Sequence, residues 1–142
     1  MKVDIHGLQI SPLHQDALHW FSVHSGKEVG WPAPIDTMYL MNRAKGIHKP
    51  RGSQYALSVR KSLSGPYIDK VERMPNGSWQ LSYAQEGSDP SYFTNAGLQA
   101  CMRDGIPVGV VVQIKEKPKP QYLVLGLGQV VAFDASIFKI KG

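Results

Sequence analysis

Two apolar runs near the C-terminal end constrain the fold of this 142-residue chain more than any other feature. The run VGVVVQIK (residues 108–115) is apolar over most of its length, which is typical of a strand covered on both faces. A polar Lys-Pro-Lys-Pro loop (117–120) separates it from QYLVLGLGQVVAF (121–133), which is long enough to return as a strand. Gly126 and Gly128 permit the sharp bending of a small closed barrel. These segments predict a curved β-sheet.

The middle of the chain contains shorter strand patterns. Residues 55–60 (YALSVR) alternate with the period of two of a half-buried strand. A strand-like run over 67–74 and the run SWQLSYA (78–84) flank Pro75-Asn76-Gly77, and Asn-Gly tolerates the positive φ of a tight hairpin turn. The residues that share the inner face of the return strand are Trp79, Leu81 and Tyr83. We expect Trp79 to pack in the core.

The first helix is predicted over residues 11–25. Ser11 provides the N-cap, Pro12 occupies the first helical position, and Gly26 follows the end. Its predicted buried stripe consists of Leu13, Ala17, Trp20, Phe21 and His24.

Three histidines on this helix raise the question of a metal site. His14, His19 and His24 are spaced by five residues, so each is turned by about 140° from the next and the three cannot meet at one ion. We therefore expect no metal site here.

A second helix is predicted over TNAGLQACMRDG (94–105), with Thr94 or Asn95 as its cap and Gly105 as its stop. We expect its Leu98, Met102 and Cys101 to face inward. Cys101 is the only cysteine, which excludes internal disulfides and any cysteine-rich zinc site. It is interpreted as a buried core thiol.

Two connecting segments allow more than one interpretation. GWPAP (30–34) is a rigid connector because its prolines fix the backbone. It displays Trp31, for which a core plug is the favoured role and ligand contact the alternative. TMYLMNRA (37–44) fits a short strand as well as a helical turn.

At least five strands and two helices without a repeating βαβ pattern predict an α+β fold. We expect a curved, mostly antiparallel β-barrel with two or three flanking helices. The length suits a single domain over 1–142, with the helix 11–25 packed on the barrel.

The positive charge is concentrated in one window. The chain has a formal charge of +5, but residues 42–73 contain eight lysines and arginines against Asp69 and Glu72. One face that meets a phosphate backbone explains this concentration, and a solvated basic face without a partner is the alternative.

Other function classes find little support. There is no secretory signal pattern and no apolar run that could cross a membrane, so we expect a protein of the reducing cytoplasm. The sequence contains no nucleophile elbow, no phosphate-binding loop, no pair of acidic residues and no metal-ligand spacing. We therefore expect no catalytic residue and no cofactor.

Four short motifs occur in a characteristic order. They are Gly65-Pro66-Tyr67-Ile68-Asp69, Tyr83 ahead of Gly87, Asn95-Ala96-Gly97-Leu98 and Gly105-Ile106-Pro107-Val108. With the strand pair around YLVLGLGQVVAF, they resemble the SRA family, the PUA-like barrels that read modified cytosine in DNA. The resemblance covers residues 64–133.

The resemblance implies base flipping into an aromatic pocket. It places Tyr67 and Tyr83 as stacking walls, Asp69 as acceptor for the exocyclic amine of cytosine, and Trp31 beside them. Barrel-core packing of the two tyrosines and capping of the turn by Asp69 are the alternatives. Contacts to the DNA backbone are expected from Lys49, Arg51, Arg60, Lys61 and Lys70.

Lys70 is also a departure from the family pattern, which often has a second acid at this position. Either Asp69 takes that role, or the base edge is read differently, or flipping has been lost. The modification, whether methyl, hydroxymethyl or a bulkier group, and its sequence context stay open.

The whole chain is also similar to domains that precede an HNH nuclease in bacterial modification-dependent restriction enzymes. No HNH motif occurs within these 142 residues. The function predicted is therefore a non-catalytic targeting module that binds double-stranded DNA with modified cytosine, with an HNH nuclease outside this segment. A PUA-like module for RNA or unmodified DNA is the alternative, and a homodimer is left open.

Overall fold

The computed structural model describes residues 2–63 and 70–142. These residues form two α-helices, eight β-strands and a short 3-10 turn at Ile5–Gly7. In chain order the elements are α1 (Pro12–Val23), β1 (Glu28–Val29), β2 (Ile47–His48), β3 (Ser58–Lys61), β4 (Lys70–Arg73), β5 (Trp79–Ala84), α2 (Phe93–Asp104), β6 (Val108–Lys115), β7 (Gln121–Asp134) and β8 (Ile137–Lys141).

The strands form one sheet in the order β2-β3-β6-β7-β8-β5-β4, with β1 paired to β7. All neighbouring strands are antiparallel except β3 and β6, which run parallel. The predicted α+β class and the mostly antiparallel sheet are confirmed.

The long strand β7 connects the two halves of the sheet. Its first half pairs with β6 and its second half with β8. A register shift opposite Val110 and Val111 coincides with Gly126, whose φ of 113° favours glycine. The local bend therefore occurs where the glycines predicted it.

The predicted closure into a barrel is wrong over the described residues. Strands β2 and β4 stand at opposite ends of the strand order, and no ladder joins them in ranges 2–63 and 70–142. Both are short, with two and four residues. Short edge strands present too few hydrogen-bonding groups to complete a ring of strands.

Helix α1 packs on β6 and β7, with a face that includes the predicted Ala17 and Phe21 but is otherwise rotated from the predicted stripe. Its buried residues are His14, Ala17, Leu18 and Phe21, whereas Leu13, Trp20 and His24 are only partly buried. The Phe21 ring lies directly on Gly109 of β6, where a Cβ would overlap it. This close approach rotates the helix so that His14 and Leu18 enter the core.

The segment before β3 also differs from the prediction. Residues 55–59 are buried without alternation, so the half-buried strand predicted over 55–60 is wrong in its burial pattern. Helix α2 covers one side, where the Cys101 thiol donates to the Ala56 carbonyl oxygen (Sγ–O, 3.3 Å) and the Ala56 amide donates to the Gly97 carbonyl oxygen (3.3 Å).

Helix α2 begins earlier than predicted, with Tyr92 at its N-cap position. Thr94 and Asn95 are buried in the first turn and do not cap the helix. The predicted stop is confirmed, because Gly105 has the left-handed φ of 69°. Cys101 is a buried thiol as predicted, and burial raises its pKa to about 12.

Two loop predictions are settled by the backbone. The turn at Pro75-Asn76-Gly77 connects the antiparallel strands β4 and β5, with Gly77 at a φ of 89°. The segment 37–44 forms neither a strand nor a helical turn, apart from one bridge between Ile35 and Met38.

In the parts of the chain that the structure describes, no helix has the length and apolar character needed to cross a bilayer.

Candidate nucleic-acid interface

Arg60 on β3 holds the loop 42–45 in place. Its Nη2 atom donates hydrogen bonds to the backbone oxygens of Asn42 (3.1 Å) and Lys45 (3.4 Å). A guanidinium that satisfies several carbonyl oxygens at once fixes the path of the backbone that carries them. Arg60, which the sequence predicted as a DNA contact, therefore positions Arg43 and Lys45, the two cations of this loop.

The two cations of the loop each lie over an aromatic ring. The Arg43 Cζ is 4.3 Å from the ring centroid of Trp31, and the Lys45 Nζ is 5.1 Å from that of Tyr92. Phe93 lies beside Tyr92, with its ring centroid 5.7 Å from the Lys45 Nζ. Contact with the Tyr92 side chain raises the pKa of the Lys45 ammonium. We call these five residues the cation–aromatic surface.

The cation–aromatic surface is accessible from solvent. Arg43, Tyr92 and Phe93 are exposed, and Lys45 and Trp31 are partly exposed. An arginine or lysine over an aromatic face keeps its charge and gains a defined position. Such a surface can contact phosphates through its cations and bases through its rings.

The remaining predicted backbone cations lie in different surroundings. Arg51 is exposed, and the partly buried Lys49 runs over Gly97 of α2. The Lys61 ammonium donates to the Ser62 carbonyl oxygen (3.3 Å), and Lys70 is paired with Glu72 (Nζ–Oε1, 3.4 Å). The Lys70–Glu72 pair is exposed, so it adds little stability and can open to a phosphate.

The four residues predicted for the base pocket are only partly described. Tyr67 and Asp69 lie outside the described residues. Tyr83 has 7% of its surface exposed and belongs to the core cluster around β5, β8 and α2. Trp31 packs against the other cluster, and its ring meets the Tyr122 ring edge-on with a centroid separation of 5.8 Å. The structure thus places Trp31 and Tyr83 in different clusters.

The Tyr83 hydroxyl lies directly below Gly46. A Cβ at Gly46 would overlap that oxygen and would also come within 3.1 Å of the Arg60 carbonyl oxygen. The backbone just before β2 can cross the tyrosine only because residue 46 lacks a side chain. Gly46 therefore links Tyr83 to the loop that carries Arg43 and Lys45.

We expect Gly46→Ala to destabilise the fold by about 2 kcal/mol, because overpacking forces the tyrosine or the loop to move. Urea unfolding measures this loss, and Gly30→Ala is the matched control because only one side-chain atom, 3.9 Å away, faces that position. Adding Tyr83→Phe to Gly46→Ala should recover part of the loss, since the phenylalanine lacks the overlapping oxygen. Strictly additive losses in the double variant would contradict this contact.

The Asn95 side chain holds the loop 85–92 in place through hydrogen bonds. The Asn95 amide accepts a hydrogen bond from the Glu86 backbone N–H (2.8 Å) and donates to the carbonyl oxygens of Glu86 (2.7 Å) and Asp89 (3.0 Å). The Glu86 carboxylate in turn accepts from the Ile47 backbone N–H (Oε1–N, 3.3 Å). Asn95 thereby connects the end of β5 to α2 and sets the position of Tyr92.

The histidines form no metal site within ranges 2–63 and 70–142, where no three His, Cys, Asp or Glu side chains meet. His14 and His48 are buried, with 2% and 8% of their surface exposed, whereas His19 is exposed. Burial lowers the pKa of His14 to about 4, with a smaller contribution from His48. Burial also lowers the pKa of His48, and the nearby Tyr39 backbone opposes that shift without reaching hydrogen-bonding geometry.

Sequence reasoning missed most of the cation–aromatic surface. Arg43 and Lys45 were counted in the basic window but not assigned a role, and Tyr92 and Phe93 were not singled out. The segment 37–44 had no recognisable period, so its neighbours could not be predicted. The exposed Tyr92-Phe93 pair at the start of a helix was the available signal.

No family model and no curated protein matches the sequence. Solved structures do match. The SUVH5 SRA domain bound to fully hydroxymethylated CG DNA is 22% identical, covers 70% of this chain and 73% of its own, and has a TM-score of 0.49. Its complex with methylated CHH DNA is 24% identical, with coverages of 68% and 70% and a TM-score of 0.48.

KRYPTONITE in complex with mCHG DNA and SAH is a further match, with 20% identity and a TM-score of 0.45. The match covers 61% of this chain but only 22% of the KRYPTONITE chain. The solved structures to which this chain is similar therefore include SRA domains, the family that its sequence motifs resemble.

Proposed function

We propose that this chain binds double-stranded DNA and reads a modified cytosine. The observation that carries the proposal is the cation–aromatic surface, in which Arg60 fixes the loop that holds Arg43 and Lys45 over aromatic rings. Cations in fixed positions bind phosphates in register, and the adjacent rings supply faces on which bases stack. Lys49, Arg51, Lys61 and Lys70 extend the contact to neighbouring phosphates.

In this proposal the cytosine leaves the duplex and enters a pocket that contains Tyr67, Asp69 and Tyr83. Flipping costs a few kcal/mol in lost pairing and stacking, and stacking on a tyrosine together with a hydrogen bond to Asp69 offsets that loss. Tyr83 is buried, so it serves as the floor of such a pocket and not as an exposed wall. Methyl- and hydroxymethylcytosine are the two modifications proposed, and the SUVH5 SRA domain was solved with DNA of both kinds.

Gel-shift titrations of one duplex carrying cytosine, 5-methylcytosine or 5-hydroxymethylcytosine at one position test the proposal. We expect tighter binding of at least one modified duplex. Asp69→Ala should abolish the preference, because alanine has no oxygen that accepts from the exocyclic amine. Tyr67→Ala should weaken modified-duplex binding by about tenfold, as expected for the loss of one stacked ring. Asp134→Ala is the matched control, because Asp134 is an exposed aspartate at the end of β7 and is not among the proposed DNA contacts. Equal affinity for all three duplexes would overturn the proposal that the chain distinguishes modified from unmodified cytosine.

The cations are tested separately from the base pocket. Arg43→Gln combined with Lys45→Gln should weaken binding to every duplex and reduce the salt dependence, because phosphate contacts do not depend on sequence. Lys117→Gln with Lys119→Gln is the control, since both lysines are exposed and lie outside the basic window. A structured RNA that competes better than the modified duplex would favour the alternative of an RNA-binding module.

We also propose that a nuclease of the HNH type acts with this chain, as part of a modification-dependent restriction system. The chain contributes recognition and the nuclease contributes cleavage. Its signature would be cleavage of the modified duplex, and not of the unmodified one, by a nuclease that binds this chain or is joined to it.

A further inference from the structure

A cavity lies beside the loop that follows β1 and shares Trp31 and Arg43 with the cation–aromatic surface. Its volume is about 610 Å³, within the range of small-molecule sites. The residues that line it include Trp31, Pro32, Tyr39, Arg43 and His48. Two of its walls are aromatic, one is rigid because proline fixes the backbone, and one carries a permanent positive charge.

The aromatic and cationic walls form a layered arrangement. The Arg43 guanidinium lies over Trp31, with a distance of 4.3 Å between Cζ and the ring centroid. Tyr39 has 63% of its surface exposed, which is unusual for a large aromatic side chain in contact with a cavity. Flat ligands with π-systems stack on aromatic rings and on guanidinium planes alike.

His48 gives this cavity a polar side chain whose ring nitrogens have no hydrogen-bond partner among the described residues. Only 8% of its surface is exposed, and neither ring nitrogen has a hydrogen-bond partner within the described residues. A neutral imidazole offers one donor and one acceptor. Buried polar groups without a partner are rare, because leaving them unpaired disfavours the folded state. A ligand with polar atoms on its edge would remove that penalty.

We propose that this cavity, whose described lining does not include Tyr83, is a second binding site that takes the base of a nucleotide. The base stacks on the Trp31–Arg43 layer and against Tyr39, its edge reaches His48, and its phosphate pairs with Arg43. A nucleobase combines the three properties that the walls require: a planar ring, adjacent donors and acceptors on the edge, and an attached anion.

The base can come from a free nucleotide or from a DNA strand, and the test separates these sources. One arm titrates the protein with dAMP, dGMP, dCMP and TMP, followed by saturation-transfer NMR and calorimetry. Deoxyribose 5-phosphate is the matched probe without a base. The other arm compares a duplex with one extrahelical base against the same duplex without it. All DNA in this arm is unmodified, so its result does not depend on the reading of modified cytosine.

We expect at least one mononucleotide to bind, and deoxyribose 5-phosphate to bind at least about tenfold more weakly because it cannot stack. Tyr39→Ala and Trp31→Ala should each weaken the mononucleotide by about tenfold. Tyr39 is exposed enough for its variant to fold even if the Trp31 variant does not. Arg73→Gln on β4, an exposed cation that is not among the residues lining this cavity, should leave binding unchanged.

A preference of the wild-type protein for the extrahelical duplex, lost in Tyr39→Ala, would assign the base to a DNA strand. Binding of mononucleotides without that preference would assign it to a free nucleotide. Equal binding of dAMP and deoxyribose 5-phosphate, or unchanged binding in Tyr39→Ala, would overturn the proposal. Failure of the proposed cytosine recognition is detected independently, by Asp69→Ala and by the three duplexes that differ only in modification.

Discussion

Replacing Asn95 by alanine is expected to destabilise the folded chain by about 4 kcal/mol, because one fully buried amide makes three hydrogen bonds to the loop 85–92. Alanine removes the amide and leaves the Glu86 N–H and the carbonyl oxygens of Glu86 and Asp89 without these partners. Each buried backbone group left unpaired costs about 1 to 3 kcal/mol, partly relieved where water enters. Urea unfolding followed by circular dichroism measures the loss.

Gln99→Ala is the matched control for Asn95→Ala. Gln99 lies on the same helix and donates to the Pro90 carbonyl oxygen (Nε2–O, 2.7 Å), but this contact is exposed and water can replace it. We expect it to lose less than about 1 kcal/mol. Asn95→Asp should be nearly as damaging as Asn95→Ala, because a carboxylate oxygen would face two carbonyl oxygens. A loss below 1 kcal/mol in Asn95→Ala would show that the loop does not depend on this amide.

Asn95→Ala also has an expected effect on nucleic-acid binding. The loop 85–92 holds Tyr92 beside Lys45, so loosening it should weaken duplex binding even under conditions where the variant is still folded. Gel-shift titration well below the unfolding midpoint would detect this. Unchanged duplex affinity would show that DNA binding by the cation–aromatic surface does not depend on the stability of this loop.

Acidification is expected to remove about 3 kcal/mol of stability between pH 6.5 and pH 4 through His14 alone. Burial lowers the His14 pKa from 6.5 to about 4, and the difference corresponds to about 3 kcal/mol between the two protonation states. In this range the unfolded chain binds a proton at His14 and the folded chain does not, so lowering the pH favours unfolding. Above pH 6.5 His14 is neutral in both the folded and the unfolded chain. Its contribution to the free energy of unfolding then no longer changes with pH.

His14→Gln should flatten the pH dependence of the unfolding free energy between pH 4 and 6.5, whatever it does to stability at pH 7. His19→Gln on the exposed side of the same helix should leave the slope unchanged. His48, whose pKa burial also lowers, accounts for the slope that persists in His14→Gln. Below about pH 4, Asp104 takes over, because hydrogen bonds from Arg103 and Tyr55 lower its pKa to about 2. An identical slope in wild type and His14→Gln would contradict this assignment.

Features that depend on neighbours in the sequence were predictable. The hairpin at Pro75-Asn76-Gly77 and the end of α2 at Gly105 follow from backbone preferences that a few residues encode. The N-cap of α1 at Ser11 belongs to the same class, because its hydroxyl accepts from the His14 N–H three residues later (3.2 Å). Local chemistry decides such features before any long-range contact forms.

Features that depend on distant contacts were not predictable. The buried face of α1 was expected to include Trp20 and His24, yet the approach of Phe21 to Gly109 turns His14 inward instead. The hydrogen bonds of Arg60 could not be predicted for the same reason, since nothing in the sequence indicates that its guanidinium meets the backbone of a loop 15 to 18 residues away. The face of an element is decided by the surface that it packs on.

The amino-acid sequence by itself determined the strand-rich α+β character, the hairpin, the helix ends and the concentration of cations in one window, because hydrophobic period, turn residues and charge are local properties. Only the tertiary structure decided that β2 and β4 stand at opposite ends of the strand order, that Tyr83 lies under Gly46, and which cations face aromatic rings. These arrangements depend on close packing between segments far apart in the chain, where the fit of one side chain against another selects among conformations that are locally equivalent.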